Sequence, residues 1–446
     1  MEKKDTKTVT GIINNGSEKI GFYGEGFKFV FMKIDNWNEK TILKADENGY
    51  IWGRTCEEKV IAIYAQKDLE IKNTLELNTW NYVISKNIIS MDHMKAFNGI
   101  RFQNGAVKSI YPCNALHEDD KITKDDVVAF RIKNDYREFK TQTDGCQIRW
   151  GFHSGVRQTF SIDEGDVLKN TDAMLDIMFD DRQNYSALYN YYGYVCDLCA
   201  FLTFRSNVCF EKVYLLDQNE YDDRHIFAEC FMKKPDIVSQ RKGLQAIQIR
   251  SLDENVFKNL ILNIISKDKL HRGLPLSVIP VDDDDVKKID AGKIREICSS
   301  LEMELDAGGV HLKSNSEMDN LIQQVKTVIK EHRKGNTPLS EKIYSKIFNS
   351  ISHWNQSLSE RAVDAWKQHE DKMESLLRRC EFTITSKNIE DFVKARNNIT
   401  HNGFVGISDE VAVTAFMLRA LVYCCTLTRL GMDTRRIKDM MMRGLM

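Results

Sequence analysis

Net charge is the first thing this chain of 446 residues lacks: 63 lysines and arginines stand against 65 acidic residues, a balance of -2. A protein that coats duplex nucleic acid usually carries a large basic excess, because each neutralised phosphate releases a counterion. The near-balance excludes that class for the chain as a whole and leaves room only for a local basic surface. From Pro338 to the end there are 16 basic and 13 acidic residues, so this segment is +3 and the remainder -5. The chain also shows no apolar stretch approaching the roughly 20 residues that span a bilayer. Its start, MEKKDTKTVTG, has no apolar signal core. A cytoplasmic protein with no membrane partner is therefore expected. Internal repeats are lacking too, as is low complexity beyond the run Asp282 to Asp285.

A disulfide or metal framework is equally hard to find. The 11 cysteines are odd in number and show no repeated spacing. The densest group, Cys196, Cys199 and Cys209 in YVCDLCAFLTFRSNVC, lacks the second close ligand pair that a zinc site uses. Cys196 and Cys199 share helical spacing with Tyr185, Leu188, Tyr189, Tyr192 and Leu202, and so read as core side chains. The acids of VDDDDV point in different directions just before a helix, where negative charge complements the macrodipole; they read as a solvated helix start rather than a magnesium site. In YGEGFKF no helix start or phosphate-loop lysine follows the glycines. His153, alone on a strand in WGFHSG, reads as structural. No cofactor or metal is expected.

What is present is a globular chain of two or three domains, with 42% hydrophobic residues to fill them. The first part is β-rich. Asn15-Gly16 in GIINNGSEKIGF marks a tight hairpin between alternating segments. Further strand candidates are 27–34, 59–66, 126–133 and 146–153, each β-branched or aromatic and bounded by polar turns. A helix near 185–203 then leads to another strand over 207–216. After about residue 235 the period becomes helical, with helices expected at 254–266, 287–305, 316–333, 339–354, 358–379, 387–402, 408–430 and 433–443. Met318, Leu321, Ile322, Val325 and Ile329 form one stripe suited to a bundle. The expectation is a two-part α+β fold. A β-rich domain over 1–235, a sandwich or bent sheet with a packed helix, precedes a connecting helical segment over 236–280 and an all-α bundle over 281–446.

The chemistry concentrates in DFVKARNNITHNGF, residues 391–404. Asn388 is expected to cap this helix and Asn402-Gly403 to stop it. Ile389, Phe392, Val393 and Ile399 form its buried stripe, with Arg396 at the edge. Five residues rotate about 140° on an ideal helix, so Arg396 and His401 do not share a face. They converge if the last turn loosens, or if a two-fold partner supplies the missing group. Such a cleft fits RNA cleavage. Histidine can take the proton from a ribose 2′-hydroxyl or give one to the leaving 5′-oxygen near neutral pH. Arginine offers a planar, permanently charged fork to the phosphate oxygens. Asn397 is placed to orient phosphate or histidine. The competing expectation is that Arg396, Asn397 and His401 merely cap the helix.

The sequence RNNITH, 396–401, resembles the R-x(4–6)-H motif of the HEPN superfamily, in which a polar residue, often asparagine, follows the arginine. TPLSEKIYSKIFNSI (337–351) resembles the first helix of the ApeA-like HEPN group, and LCAFLTFRSNVCFEKVYLL (198–216) is similar to the closing part of the ApeA N-terminal domain. That resemblance implies a metal-independent endoribonuclease leaving 2′,3′-cyclic phosphate ends, with Arg396, Asn397 and His401 as catalytic residues. It also implies a homodimer in abortive antiphage defence, a cellular RNA substrate such as tRNA, and a phage-derived activator sensed by the β-rich domain. Many HEPN-like domains are not nucleases, so the alternative is a dimerisation module that binds a protein or small ligand.

Overall fold

The computed structural model describes the chain apart from residues 1–7, 35–39, 114–120, 125–126, 131–134, 144, 161–166, 219–222, 236–244, 266–272, 309–315, 336–337, 353–356, 403–405 and 443–446. It divides into two compact units, Met1–Ile265 and Ser266–Met446. The first holds a large antiparallel sheet and the second is helical, so the two-part α+β organisation is observed.

The strands of the first unit are β1 (Thr8–Asn15), β2 (Glu18–Glu25), β3 (Lys28–Lys33), β4 (Thr41–Leu43), β5 (Tyr50–Thr55), β6 (Val60–Tyr64), β7 (Leu69–Ile71), β8 (Thr74–Asn78) and β9 (Asn81–Ser85). They continue with β10 (Phe97–Gln103), β11 (Lys121–Lys124), β12 (Val127–Phe130), β13 (Asp135–Thr143), β14 (Cys146–Phe160), β15 (Val167–Gln183), β16 (Lys212–Gln218) and β17 (Arg224–Met232). Among them run the helices α1 (Met91–Met94), α2 (Ala106–Ile110), α3 (Tyr185–Thr203) and α4 (Glu254–Ile265). Thirteen strands form one sheet in the order β13, β14, β15, β10, β16, β17, β9, β6, β5, β1, β2, β3, β8. The pairs β11 with β12 and β4 with β7 stand apart. Part of the expected strand 126–133 lies outside the described residues.

The first hairpin turns one residue later than expected. Asn15 pairs with Glu18, so the loop is Gly16-Ser17, and Gly16 takes a φ of 67°. A glycine at the first loop position suits a type II′ turn, whose twist matches that of the strands. Alternation along β1, β2 and β3 sends Ile13, Ile20, Phe22, Phe29 and Phe31 into one core with Ile61, Ile63 and Tyr82.

At the other end of the sheet, helices cover one face. Ile148, Trp150 and Phe152 of β14 and Leu175, Ile177 and Phe179 of β15 are buried. Phe257 of α4 stacks on Phe139 of β13 with ring centroids 4.0 Å apart, and Tyr191 of α3 meets Phe179 edge-on at 4.8 Å. These contacts draw α4 onto the sheet, so the first unit extends beyond the β-rich segment to Ile265. Cys199 and Cys209 are buried, and desolvation pushes both thiols up.

The second unit contains α5 (Asp283–Val286), α6 (Ala291–Ala307), α7 (Ser316–Arg333), α8 (Glu341–Ser352), α9 (Leu358–Cys380), α10 (Ser386–Asn402), α11 (Asp409–Arg429) and α12 (Thr434–Met442). Expected helix 287–305 starts later because Asp290 accepts a hydrogen bond from the Lys293 amide and caps α6. Asp282 does the same for α5 through the Asp285 amide, and Lys293 pairs with Asp285. The α7 stripe is only partly covered: Ile322 is buried, whereas Leu321 remains 48% exposed on a helix that packs on α8.

At the centre of this unit lies α11, packed by α6, α9, α10 and α12 and buried continuously from Met417 to Leu427. A helix apolar all round is a core helix or a membrane span. By length and composition alone α11 could cross a bilayer, with a mean hydropathy of 1.7, and 72% of that window is buried inside the protein. This corrects the expectation that no stretch approaches spanning length. Ala415, Leu418, Leu421, Val422 and Cys425 all pack within the chain, and Val411 is half-buried.

Candidate active site

Helix α10 carries the Arg-Asn-His set. Its cap differs from the expected one. Thr385 stands before the first helical residue, its hydroxyl oxygen accepts from the Asn388 amide, and Asn388 Oδ1 accepts from the Thr385 amide at 2.9 Å. This reciprocal pair is a capping box with asparagine in place of glutamate, so Asn388 sits inside the first turn. Downstream, Ile389, Phe392 and Ile399 are buried as expected, while Val393 is half-buried. The apolar face packs toward α6, α9 and α11.

Arg396 lies at the edge of that face and is half-buried. Its Nη1 donates to Asn397 Oδ1 at 3.1 Å, so the asparagine holds the guanidinium. The same positive charge reaches α6. Cys298 is fully buried, which pushes its thiol up to about 11, with Arg396 pulling downward and Glu302 upward. Thr400 Oγ1 donates to the Arg396 carbonyl at 2.9 Å.

His401 is exposed, one residue before the helix ends at Asn402; Gly403, the expected stop, lies outside the described residues. Because the turn stays α-helical through Asn402, it does not loosen to swing the imidazole toward the arginine. Among the described residues no hydrogen bond or ion pair joins His401 to Arg396. One chain therefore brings Arg396 and Asn397 together and leaves His401 about 140° around the helix.

Two other polar arrangements escaped the sequence reading. In the second unit, the buried Lys372 ammonium donates to His369 Nδ1 at 2.9 Å and to Thr428 Oγ1 at 3.1 Å. Burial first, and the Lys372 charge second, push His369 down from its ordinary 6.5 to about 4. In the first unit, fully buried Asp176 accepts two 2.7 Å hydrogen bonds from Arg101, with His153 Nε2 at 3.4 Å and Arg224 at 3.7 Å. The signal for this cluster was a single acid inside the apolar run MLDIMF. His153, expected to be structural, belongs to it.

A cleft of about 310 Å³ opens elsewhere in the first unit, where β1 pairs with β5 at only two positions before diverging. Part of its polar lining is already engaged. Trp52 Nε1 donates to Asp46 Oδ2 at 2.8 Å, and Arg54 donates to the Glu58 carbonyl at 2.7 Å. Neither arrangement presents a reactive group, so α10 remains the better catalytic candidate. In comparisons with known proteins, no family model, no curated protein and no solved structure matches this chain.

Proposed function

We propose that this chain is a metal-independent endoribonuclease of abortive antiphage defence, cutting cellular RNA in a cleft where two copies of α10 meet. The observation that carries the reading is the end of α10: a guanidinium held by Asn397 and an exposed imidazole, both within the last two turns. In one copy the two groups diverge, so the reading requires a two-fold pair in which one chain's Arg396 faces the other's His401.

In that cleft one His401 accepts the 2′-hydroxyl proton, the freed oxygen attacks the adjacent phosphorus, and the 5′-oxygen departs with a proton from the second histidine. The products are a 2′,3′-cyclic phosphate and a 5′-hydroxyl. Arg396 stabilises the charge that grows on the non-bridging oxygens. Unstacked loops of a structured RNA such as tRNA are the favoured substrates, since in-line attack needs a flexible nucleotide. On this reading the enzyme works in the cytoplasm, and the β-rich unit restrains it until a phage-derived signal arrives.

The test is incubation of the purified protein with total RNA in a chelator. Cyclic phosphate ends that vanish in both Arg396→Ala and His401→Ala support the reading. Wild-type cleavage in either variant overturns it. A second reading, a non-catalytic dimerisation module that binds a protein or small ligand, is favoured by the divergence of Arg396 and His401 within one chain. It predicts RNA left intact by a folded dimer.

A further inference from the structure

The open face of the sheet in the first unit places unlike groups in one row. Strand register sets Gly151 of β14 beside Asp176 of β15, Asp176 beside Arg101 of β10, and Arg101 beside Tyr214 of β16. These side chains point away from the face that packs on α3 and α4, because the alternating residues Trp150, Phe152, Leu175 and Ile177 fill that side. Tyr136 and His153, paired across β13 and β14, flank the row with ring centroids 4.6 Å apart.

Asp176 is the buried acid at the centre of this cluster. Asp176 is a single carboxylate, and Arg101 engages both of its oxygens in a fork. Arg224 stands 3.7 Å away, and buried His153 Nε2, 3.4 Å from Asp176, finds no partner at hydrogen-bonding geometry. Glu138, the neighbouring acid, receives the Tyr136 hydroxyl. Two guanidiniums and an imidazole thus surround one carboxylate that one of them already occupies. The side chains of Arg101, Arg224 and His153 keep 22%, 19% and 29% exposure, enough to meet a ligand, and Tyr136 is 49% exposed beside them.

We propose that this face binds a nucleotide phosphate: the anion sits between Arg224 and His153 above the Asp176–Arg101 pair, and the base stacks on Tyr136. Asp176 fixes the Arg101 fork, as a buried acid does for an anion-binding arginine. The exposed ring next to guanidiniums selects a base-bearing phosphate over a bare one, since every base has a π-face that stacks on an aromatic ring. The same chemistry is offered by a free mononucleotide and by a nucleotide within a single RNA strand. The inference concerns the first unit alone and stands whether or not α10 cuts RNA.

Calorimetric titration of the full chain tests it with AMP, GMP, CMP and UMP, inorganic phosphate, and a short 2′-O-methyl RNA that resists attack by its own 2′-oxygen. Saturable binding of a mononucleotide identifies the free source, and binding of the oligonucleotide alone identifies the strand. In either case Arg224→Ala lowers affinity tenfold or more, while Tyr136→Leu weakens nucleotides and leaves inorganic phosphate unchanged. Circular dichroism confirms that each variant is folded, and both side chains are exposed enough to be replaced. Absence of saturation at millimolar ligand, or binding indifferent to Arg224→Ala, overturns the proposal.

Discussion

His369 makes stability of the helical unit depend on pH, with a sign and size that follow from its surroundings. The side chain is 4% exposed between α9 and α11, and its Nδ1 accepts a hydrogen bond from the Lys372 ammonium. Burial and that positive charge push it from 6.5 to about 4, against a weaker upward pull from Asp371. The folded protein therefore refuses a proton that the unfolded chain binds. The stabilising contribution is complete above pH 6.5, declines as pH falls, and is gone below about 4. A displacement from 6.5 to about 4, at roughly 1.4 kcal/mol per pH unit, makes this worth about 3 kcal/mol. That is a large share of a typical total of about 5–15 kcal/mol. His369→Gln keeps an oxygen to accept from Lys372 and does not titrate here. Urea unfolding of both proteins from about pH 8 to about pH 4 should show the wild type losing about 3 kcal/mol more than the variant. Curves that stay parallel within about 0.5 kcal/mol would refute the reasoning.

Three further outcomes are expected. Glu381 ends α9 in the left-handed conformation, φ 49°, and is exposed, so Glu381→Gly should stabilise by about 1 kcal/mol and raise the melting temperature of the helical unit. Asp176→Asn leaves the Arg101 fork facing a neutral amide on a half-buried site, and denaturant unfolding should show a loss of about 3 kcal/mol or more for the first unit. With a neutral-pH maleimide, exposed Cys56 and Cys380 should label first, Cys380 more slowly because burial pushes its thiol up. Buried Cys199, Cys230, Cys298 and Cys424 should label only on unfolding, as mass spectrometry of the digested protein can report.

Helical segments were legible because their stripes and caps are local. The expected 254–266, 316–333 and 358–379 fall within a residue of α4, α7 and α9. Two ends were legible without a glycine: Phe204 and Glu381 take the left-handed conformation usual for a C-terminal glycine, yet the expected 185–203 and 358–379 end within a residue of α3 and α9. Strands were legible in part: the expected 27–34, 59–66 and 146–153 fall on β3, β6 and β14, whereas β9 was missed. Every residue of β9, NYVIS, is buried, so no alternation marks it, and its place between β17 and β6 comes from pairings distant in sequence. The order of thirteen strands is a property of such pairings, which no window of residues contains.

For the site, the rotation between Arg396 and His401 follows from the helix repeat alone, whereas what lies opposite each of them does not. A regular α10, helical through Asn402, turns the five-residue step into a rotation of about 140° between the two side chains. On the proposed ribonuclease reading, the motif therefore calls for a second copy. Most of the apolar surface of α11 is covered by α6, α9, α10 and α12. On that reading the dimer is built from more polar contacts at the α10 end, of a kind sensitive to salt. If so, cleavage should fall with dilution and with added salt together, because both dissolve the same cleft.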